Sequence, residues 1–378
     1  MNVVYIINQL RRSGPVYVLY NIIANLDREI YNPIVIKLMA DDPQRSFTYK
    51  FQELGIEIVE LNLSFWELEL RTKHVALKID NLLSNRNVKI INTHGYHPLL
   101  VSSYMNIPIQ RIDTLHCISI DSFRSSRGWF IGTYMHLRYL YHIKQIECRV
   151  GISDTVTNYY NTILKNDKAC TIYNGIDTDI FDLKRKSKND LKTKLGLNHY
   201  DKVFVVVGHL NPLKDPVTVI KSYISLIDNG ELADSCLIFC GTGILLEKCK
   251  QIAKKYPMIK FTGFVNNVHE YLLAADYSIC ASHSEGFGQN FIEALICGCV
   301  VISSKIPVFC EFISYYPQLG KLQFDVSDEK GLSCAIRNAV CNNFDVNIMR
   351  NDAISRFSAK KMSANYMHLY NQLIFNKL

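Results

Sequence analysis

Short apolar runs alternate with stretches of helical spacing along almost the whole of this 378-residue chain. In the first half, NVVYII (2–7), NPIVIKL (32–38), IEIVEL (56–61), VKIINTH (88–94), RIDTLHC (111–117), CRVGIS (148–153) and ACTIYN (169–174) read as strands. Between them, VYVLYNIIANLD (16–27) and HVALKIDNLLS (74–84) carry apolar residues at helical intervals. This alternation predicts an α/β fold built on a doubly wound parallel sheet, with helices on both faces.

The alternation breaks once. Residues 182–202, DLKRKSKNDLKTKLGLNHYDK, are polar and Lys-rich, and read as a solvated linker with a short amphipathic helix. It restarts with VFVVVG (203–208), SCLIFCG (235–241), IKFTGF (259–264), YSICAS (277–282) and CVVISS (299–304). The chain is also too long for one comfortable core. Two Rossmann-like domains are therefore expected, 1–180 and 181–357, hinged near residue 180, with 358–378 as a closing helix that turns back toward the first. Ligands of parallel sheets bind at the carboxyl ends of the strands, where strand order reverses. Two such domains facing each other would put the active site in the cleft between them.

Composition narrows the function classes. Hydrophobic residues make up 48% and charged residues 20%, which is ordinary for a globular chain. The net charge of +7 suits an anionic ligand or an anionic membrane surface, but falls short of the basic stripe of a nucleic-acid binder. There are twelve cysteines and no C-x-x-C pair, and Cys240, Cys280, Cys297 and Cys299 lie inside apolar runs. They read as small core residues of a reduced, cytoplasmic protein. The opening MNVVYIINQL reads as a first strand rather than a signal peptide. No run approaches the about 20 apolar residues of a spanning helix, so membrane contact is expected to be peripheral.

The richest stretch is SEGFGQNFIEA (284–294), which follows the strand YSICAS. Glu285 falls in the loop at the strand's carboxyl end, and Gly286 and Gly288 allow a tight turn. A helix opening near Gln289 would aim backbone N–H groups at the loop, an arrangement that binds phosphate. Glu293, one turn further in, is placed to accept hydrogen bonds from sugar hydroxyls.

EGFGQNFIEALICGCVVISS (285–304) resembles the E-G-F-G-x-x-x-x-E-A-x-x-x-G-x-x-V-I signature of the retaining nucleotide-sugar glycosyltransferases of the GT-B fold, family 4. IYNGID (172–177), VVVGHLNPLKDP (205–216) and KFTGFVNNVHEYLLAADYSICAS (260–282) are similar to further family segments in the same order. The resemblance implies that Glu285 contacts the donor sugar and Glu293 the ribose. It implies that the backbone of Phe287, Gly288, Gln289 and Asn290 lines the diphosphate and sugar. Lys214 would neutralise the leaving diphosphate, and Phe264 and Val265 would lie against the base. His116, in RIDTLHC, matches the family's histidine beside the reaction centre.

Two positions depart from the family pattern. His209 stands where the family usually has an arginine, and either contributes charge when protonated or serves as a neutral hydrogen-bonding substitute. Gly14, within Ser13-Gly14-Pro15, replaces a two-glycine loop, while Arg11 and Arg12 beside it add positive charge. His97, in THGYHP, reads as an acceptor-side loop residue, and no metal ligand set is expected. Residues 123–146, rich in aromatic and basic side chains, read either as a buried crossover helix or as a helix that touches an interface or a lipid-linked acceptor, with an acceptor loop at 118–128.

The implied activity transfers a hexose or N-acetylhexosamine from a nucleotide diphosphate sugar, a UDP-sugar in first place. The implied acceptor is a hydroxyl of a lipid-linked glycan or oligosaccharide, in the assembly of a bacterial surface polysaccharide at the cytoplasmic face of the inner membrane. The sugar nucleotide is a co-substrate, and no cofactor, metal or nucleic acid is expected. An NAD-dependent oxidoreductase fits poorly, because CGTGILLEK (240–248) does not complete G-x-G-x-x-G. A sugar-nucleotide epimerase and a catalytically weak nucleotide-sugar-binding subunit remain as alternatives.

Overall fold

The computed structural model describes residues 1–181 and 187–375. They form two units, Met1–Ile176 completed by the chain from Ala359 onward, and Asp177–Ser358.

The first unit is built on β1 (Asn2–Ile7), β2 (Asn32–Lys37), β3 (Glu57–Glu60), β4 (Val88–His94), β5 (Gln110–Leu115), β6 (Cys148–Gly151) and β7 (Ala169–Thr171). These pair in parallel in the order β3-β2-β1-β4-β5-β6-β7. The inner strands carry continuous apolar runs because crossover helices cover both faces of the sheet. On one face Val3, Tyr5 and Val35 pack with Leu19, Ile22 and Tyr366 in a single cluster. On the other, Val4, Ile6 and Ile36 meet Val75, Ile79 and Val101. The last helix, Ala359–Phe375, belongs to this unit: Tyr370 Oη lies 3.0 Å from Tyr5 Oη, and Ser363 Oγ donates to Ile22 O at 2.9 Å.

The second unit is built on β8 (Lys202–Val207), β9 (Ser235–Cys240), β10 (Ile259–Gly263), β11 (Tyr277–Cys280), β12 (Val300–Ser304) and the two-residue β13 (Gln323–Phe324). Its parallel order is β10-β9-β8-β11-β12-β13, the pattern of the first six strands of the other sheet. Strand order therefore reverses between β1 and β4 in one unit and between β8 and β11 in the other. Of the polar stretch 182–202, residues 182–186 lie outside the described residues. The helix Lys188–Lys194 that follows is clamped rather than free: Lys192 Nζ reaches Asp276 at 3.2 Å and Lys194 Nζ reaches Glu270 at 2.7 Å.

Three sequence expectations in the first unit are corrected. Residues 118–128 are not a loop but mostly the helix Ser119–Arg127, packed side by side with the helix Trp129–Ile143. That second helix is not buried, since Phe130, Tyr134, Leu137 and Tyr141 all stand in solvent. His97 sits in the helix Tyr96–Ser103 and is buried, because the chain turns at Gly95 and starts the helix immediately, with Pro98 in its first turn.

Candidate active site

In the second unit the reversal point gathers the chemistry. β8 ends at Val207, with Gly208 directly after it, and Lys214 closes a short 3-10 turn, Pro212–Lys214, held by Asn211 Oδ1 accepting from Lys214 N at 3.0 Å. β11 leads into the loop that carries Glu285. The Lys214 and Glu285 side chains are ion-paired, and Ser282 Oγ donates to the same Glu285 oxygen at 2.7 Å. Both partners keep some solvent contact, with side chains 23% and 16% exposed. Such a pair is open to exchange with an incoming anion, whereas a fully buried one is not.

Gly288 begins the helix Gln289–Ile296 in a left-handed conformation, φ 72°. A Cβ there would lie 2.4 Å from the Phe309 ring, so the turn is closed to other residues on two counts. Gly288 also provides no capping side chain, and of the first-turn N–H groups Phe291 N donates to Gly288 O at 2.9 Å and to Asn290 Oδ1 at 3.1 Å. Phe287 points its ring into the core against Phe312, at 5.3 Å between centroids, so only its backbone borders the loop. Asn290 Nδ2 donates to Val207 O at 3.4 Å, tying the helix start to the end of β8. One turn on, Glu293 accepts from Gln289 Nε2 at 2.9 Å. Burial pushes the Glu293 carboxyl up to about 7, against the opposing pull of Gln289 and the nearby Lys214 charge.

The remaining donor-side positions lie further out. His209 is exposed, with Nδ1 3.4 Å from Thr242 O. Phe264 follows β10 and is 65% exposed, and Val265 beside it is half-buried. The glycines of CGTG (240–243) have a packing reason: a Cβ on Gly241 would lie 1.9 Å from Gly208 O, and one on Gly243 2.3 Å from Leu210 O. They let two strand-end loops touch, which accounts for their spacing without a dinucleotide.

Sequence reasoning missed the brace behind Lys214. Asp215 takes φ 45° and caps the helix Pro216–Asp228 through Thr218. Its Oδ2 also meets His283 Nε2 at 3.2 Å and accepts from Ser327 Oγ at 3.0 Å. Burial raises the Asp215 carboxyl, but the bonds from Thr218, His283 and Ser327 outweigh it and hold the group below the ordinary carboxylate range. The Asp-Pro step is a visible N-cap signal, but its distant partners leave no local trace in the sequence.

In the first unit, His116 follows β5, and its Nε2 lies 2.9 Å from Nδ1 of His94 at the end of β4. Burial pushes His94 well down and His116 to about 4, so both rings are neutral at physiological pH. The other ring nitrogen of His94 is buried without a partner. His97 bonds Glu69 at 2.9 Å and Asn8 at 3.3 Å, and Glu69 is ion-paired to Arg138. Gly14 opens the helix Gly14–Ala24 with empty space where a Cβ would be, and Arg11 and Arg12 nearby are exposed. Among the described residues no group of three His, Cys, Asp or Glu side chains is placed to hold a metal ion.

Two doubly wound parallel sheets of like strand order define the class of fold, GT-B. The fold agrees with Anabaena HepE in complex with UDP, at TM-score 0.79 and 15% identity over 98% of this chain and all of that one. The chain belongs to glycosyltransferase family 4. Residues 12–180 match the model described as Glycosyltransferase Family 4, and residues 187–355 the one described as Glycosyl transferases group 1.

Among relatives, the N-acetylgalactosamine-N,N'-diacetylbacillosaminyl-diphospho-undecaprenol 4-alpha-N-acetylgalactosaminyltransferase of Campylobacter jejuni is 30% identical, over 66% of this chain and 69% of its own length. The O-antigen biosynthesis glycosyltransferase WclY of Escherichia coli is 22% identical over 99% of both chains. Two further relatives are matched over only 63% and 56% of their own length.

Proposed function

We propose that this chain is a retaining hexosyl- or N-acetylhexosaminyltransferase that uses a nucleotide diphosphate sugar, UDP-linked in the favoured case. The acceptor is a hydroxyl of a lipid-linked glycan or oligosaccharide, in bacterial surface-polysaccharide assembly at the cytoplasmic membrane face. The observation that carries this reading is the meeting of Lys214, Glu285 and the Gly288 helix start at the carboxyl ends of β8 and β11, with Glu293 one turn behind. The undecaprenol-linked substrate of the Campylobacter relative, the O-antigen role of the Escherichia relative and the UDP bound by Anabaena HepE support the acceptor, setting and nucleotide.

In this reading the incoming diphosphate takes Lys214 from Glu285, which frees that carboxylate for the sugar hydroxyls. Lys214 and the first-turn N–H groups then hold the charge that develops as the glycosidic C–O bond breaks. The departing phosphate oxygen accepts the proton of the acceptor hydroxyl, which attacks from the same face, so the anomeric configuration is kept. No metal ion takes part in this scheme. Glu293 binds the ribose hydroxyls.

A panel of nucleotide sugars, assayed for nucleotide diphosphate release with the product anomer read by NMR, tests it. Transfer with retention is expected. An inverted anomer, release of an epimerised free sugar, or binding without turnover would each replace the reading with another.

A further inference from the structure

The helix Trp129–Ile143 is built inside out for a surface helix, which ordinarily turns its apolar stripe to the core. Its inward face is largely hydrogen-bonded: His136 to Ser119 at 2.7 Å, Tyr139 to Asp113 at 2.7 Å and His142 to Ser103 at 2.8 Å. Gly132 lets it lie directly on the helix Ser119–Arg127, since a Cβ there would fall 2.5 Å from Arg124 N. The outward face carries Phe130, Tyr134, Leu137 and Tyr141, each 60–81% exposed. Their spacing confines them to an arc of about 60° along about 16 Å of helix. Trp129 and Ile131 flank the stripe and are exposed as well.

Charge frames the stripe in one sign. No Asp or Glu occurs between Asp121 and Glu147, while Arg127 stands before the helix and Lys144 at its end, both exposed. Arg124 lies 5.0 Å over the Trp129 ring, and Arg138 is taken by Glu69. An apolar face of this kind is a docking surface rather than ordinary solvent-facing surface. Aromatic and aliphatic residues rimmed by basic ones match a bilayer boundary, where rings sit at headgroup depth and cations meet anionic lipid. A second copy of the chain fits less well, because symmetric pairing of this face would set its basic rim against itself.

We propose that the stripe Phe130, Tyr134, Leu137 and Tyr141, with Arg127 and Lys144 at its ends, docks the first unit flat on an anionic lipid bilayer. The inference rests on the lipid-linked acceptor proposed above for its purpose, yet it is measurable without donor or acceptor. The full chain is sedimented with vesicles of phosphatidylcholine containing phosphatidylglycerol, and with phosphatidylcholine alone. Binding to the anionic vesicles is expected, with a blue shift of tryptophan emission removed by Trp129→Phe.

Phe130→Ser with Leu137→Ser lowers the partition coefficient by at least about tenfold on anionic vesicles. Arg127→Gln with Lys144→Gln lowers it by about tenfold on anionic vesicles and leaves neutral ones unaffected. All these residues are exposed, so far-ultraviolet circular dichroism of each variant should match the parent. Absence of vesicle binding, or variants that bind like the parent, overturns the proposal. So does a concentration-dependent dimer that Phe130→Ser with Leu137→Ser abolishes, which assigns the face to a second copy. Vesicle binding without transfer to any lipid-linked acceptor leaves the face standing and removes the functional reading, and transfer without vesicle binding does the reverse.

Discussion

At the carboxyl end of β5 His116 rests uncharged against His94, whereas at the carboxyl end of β11 Glu285 is ion-paired to Lys214. The two sheets share a strand order, and both pairs lie beside their sheet's reversal point, yet the groups there behave in opposite ways. Those of the first unit, a buried His94 and a half-buried His116, are neutral and bonded to one another. Those of the second keep partial contact with water and hold charges that an anionic ligand can take over. A shared fold thus determines where a site lies, and the local surroundings determine whether the groups there carry charge.

The sharpest way to break this contrast is Lys214→Ala. If the second unit carries the leaving-group charge, turnover drops by about 100- to 1,000-fold, as loss of one preorganised contact to developing charge typically does. Near-parental turnover would move that task to His209 or to the backbone. Next in size is Gly288→Ala, which forces a left-handed alanine against Phe309 and should cost about 3 kcal/mol in chemical denaturation. An unchanged midpoint would show that the turn relaxes.

pH separates the units by sign. The histidine pair is held below the ordinary 6.5, His116 to about 4. Over that window the unfolded chain takes up protons that the folded one refuses, so stability falls as pH drops, by about 3 kcal/mol from His116 alone. His94→Gln with His116→Gln should flatten this slope, and Asp113, itself pushed to about 7, is present in both proteins and cancels in the difference.

Glu293 is raised from 4.5 to about 7. Over that window the folded chain keeps a proton that the unfolded one has released, so stability falls as pH rises, and Glu293→Gln removes that fall. Slopes of the same sign in thermal melts of the two variants would end the comparison. Smallest is the effect of Glu293→Ala on donor affinity, a loss of about tenfold for one hydrogen-bonding carboxylate. Unchanged affinity in calorimetry would remove its ribose role.

Twelve of the strands could be read in the sequence because parallel strands buried on both faces are continuous apolar runs, and such runs are local. Gln323–Phe324 could not, since two residues carry no period. SIDSFRSSR resembles a loop in sequence because its serines favour caps and turns, and packing against the following helix overrides that preference. WFIGTYMHLRYLYHI admits both a buried and an interface reading in sequence, and only the structure shows which side of it faces inward. At the candidate site Lys214, Glu285 and Glu293 stood out through motif spacing. The grip of Asp215 on His283 and Ser327 spans 68 and 112 residues of chain, and no local pattern records it.

The last helix has a consequence for the order of events during synthesis. Met362, Tyr366, Tyr370 and Leu373 belong to the same apolar cluster as Val3, Tyr5 and Val35, so strands made early wait for a helix made much later to complete their core. Asp177–Ser358 is closed on itself and can fold in the interval. The nascent first unit spends that time with part of its sheet uncovered, a period in which a chaperone would find it.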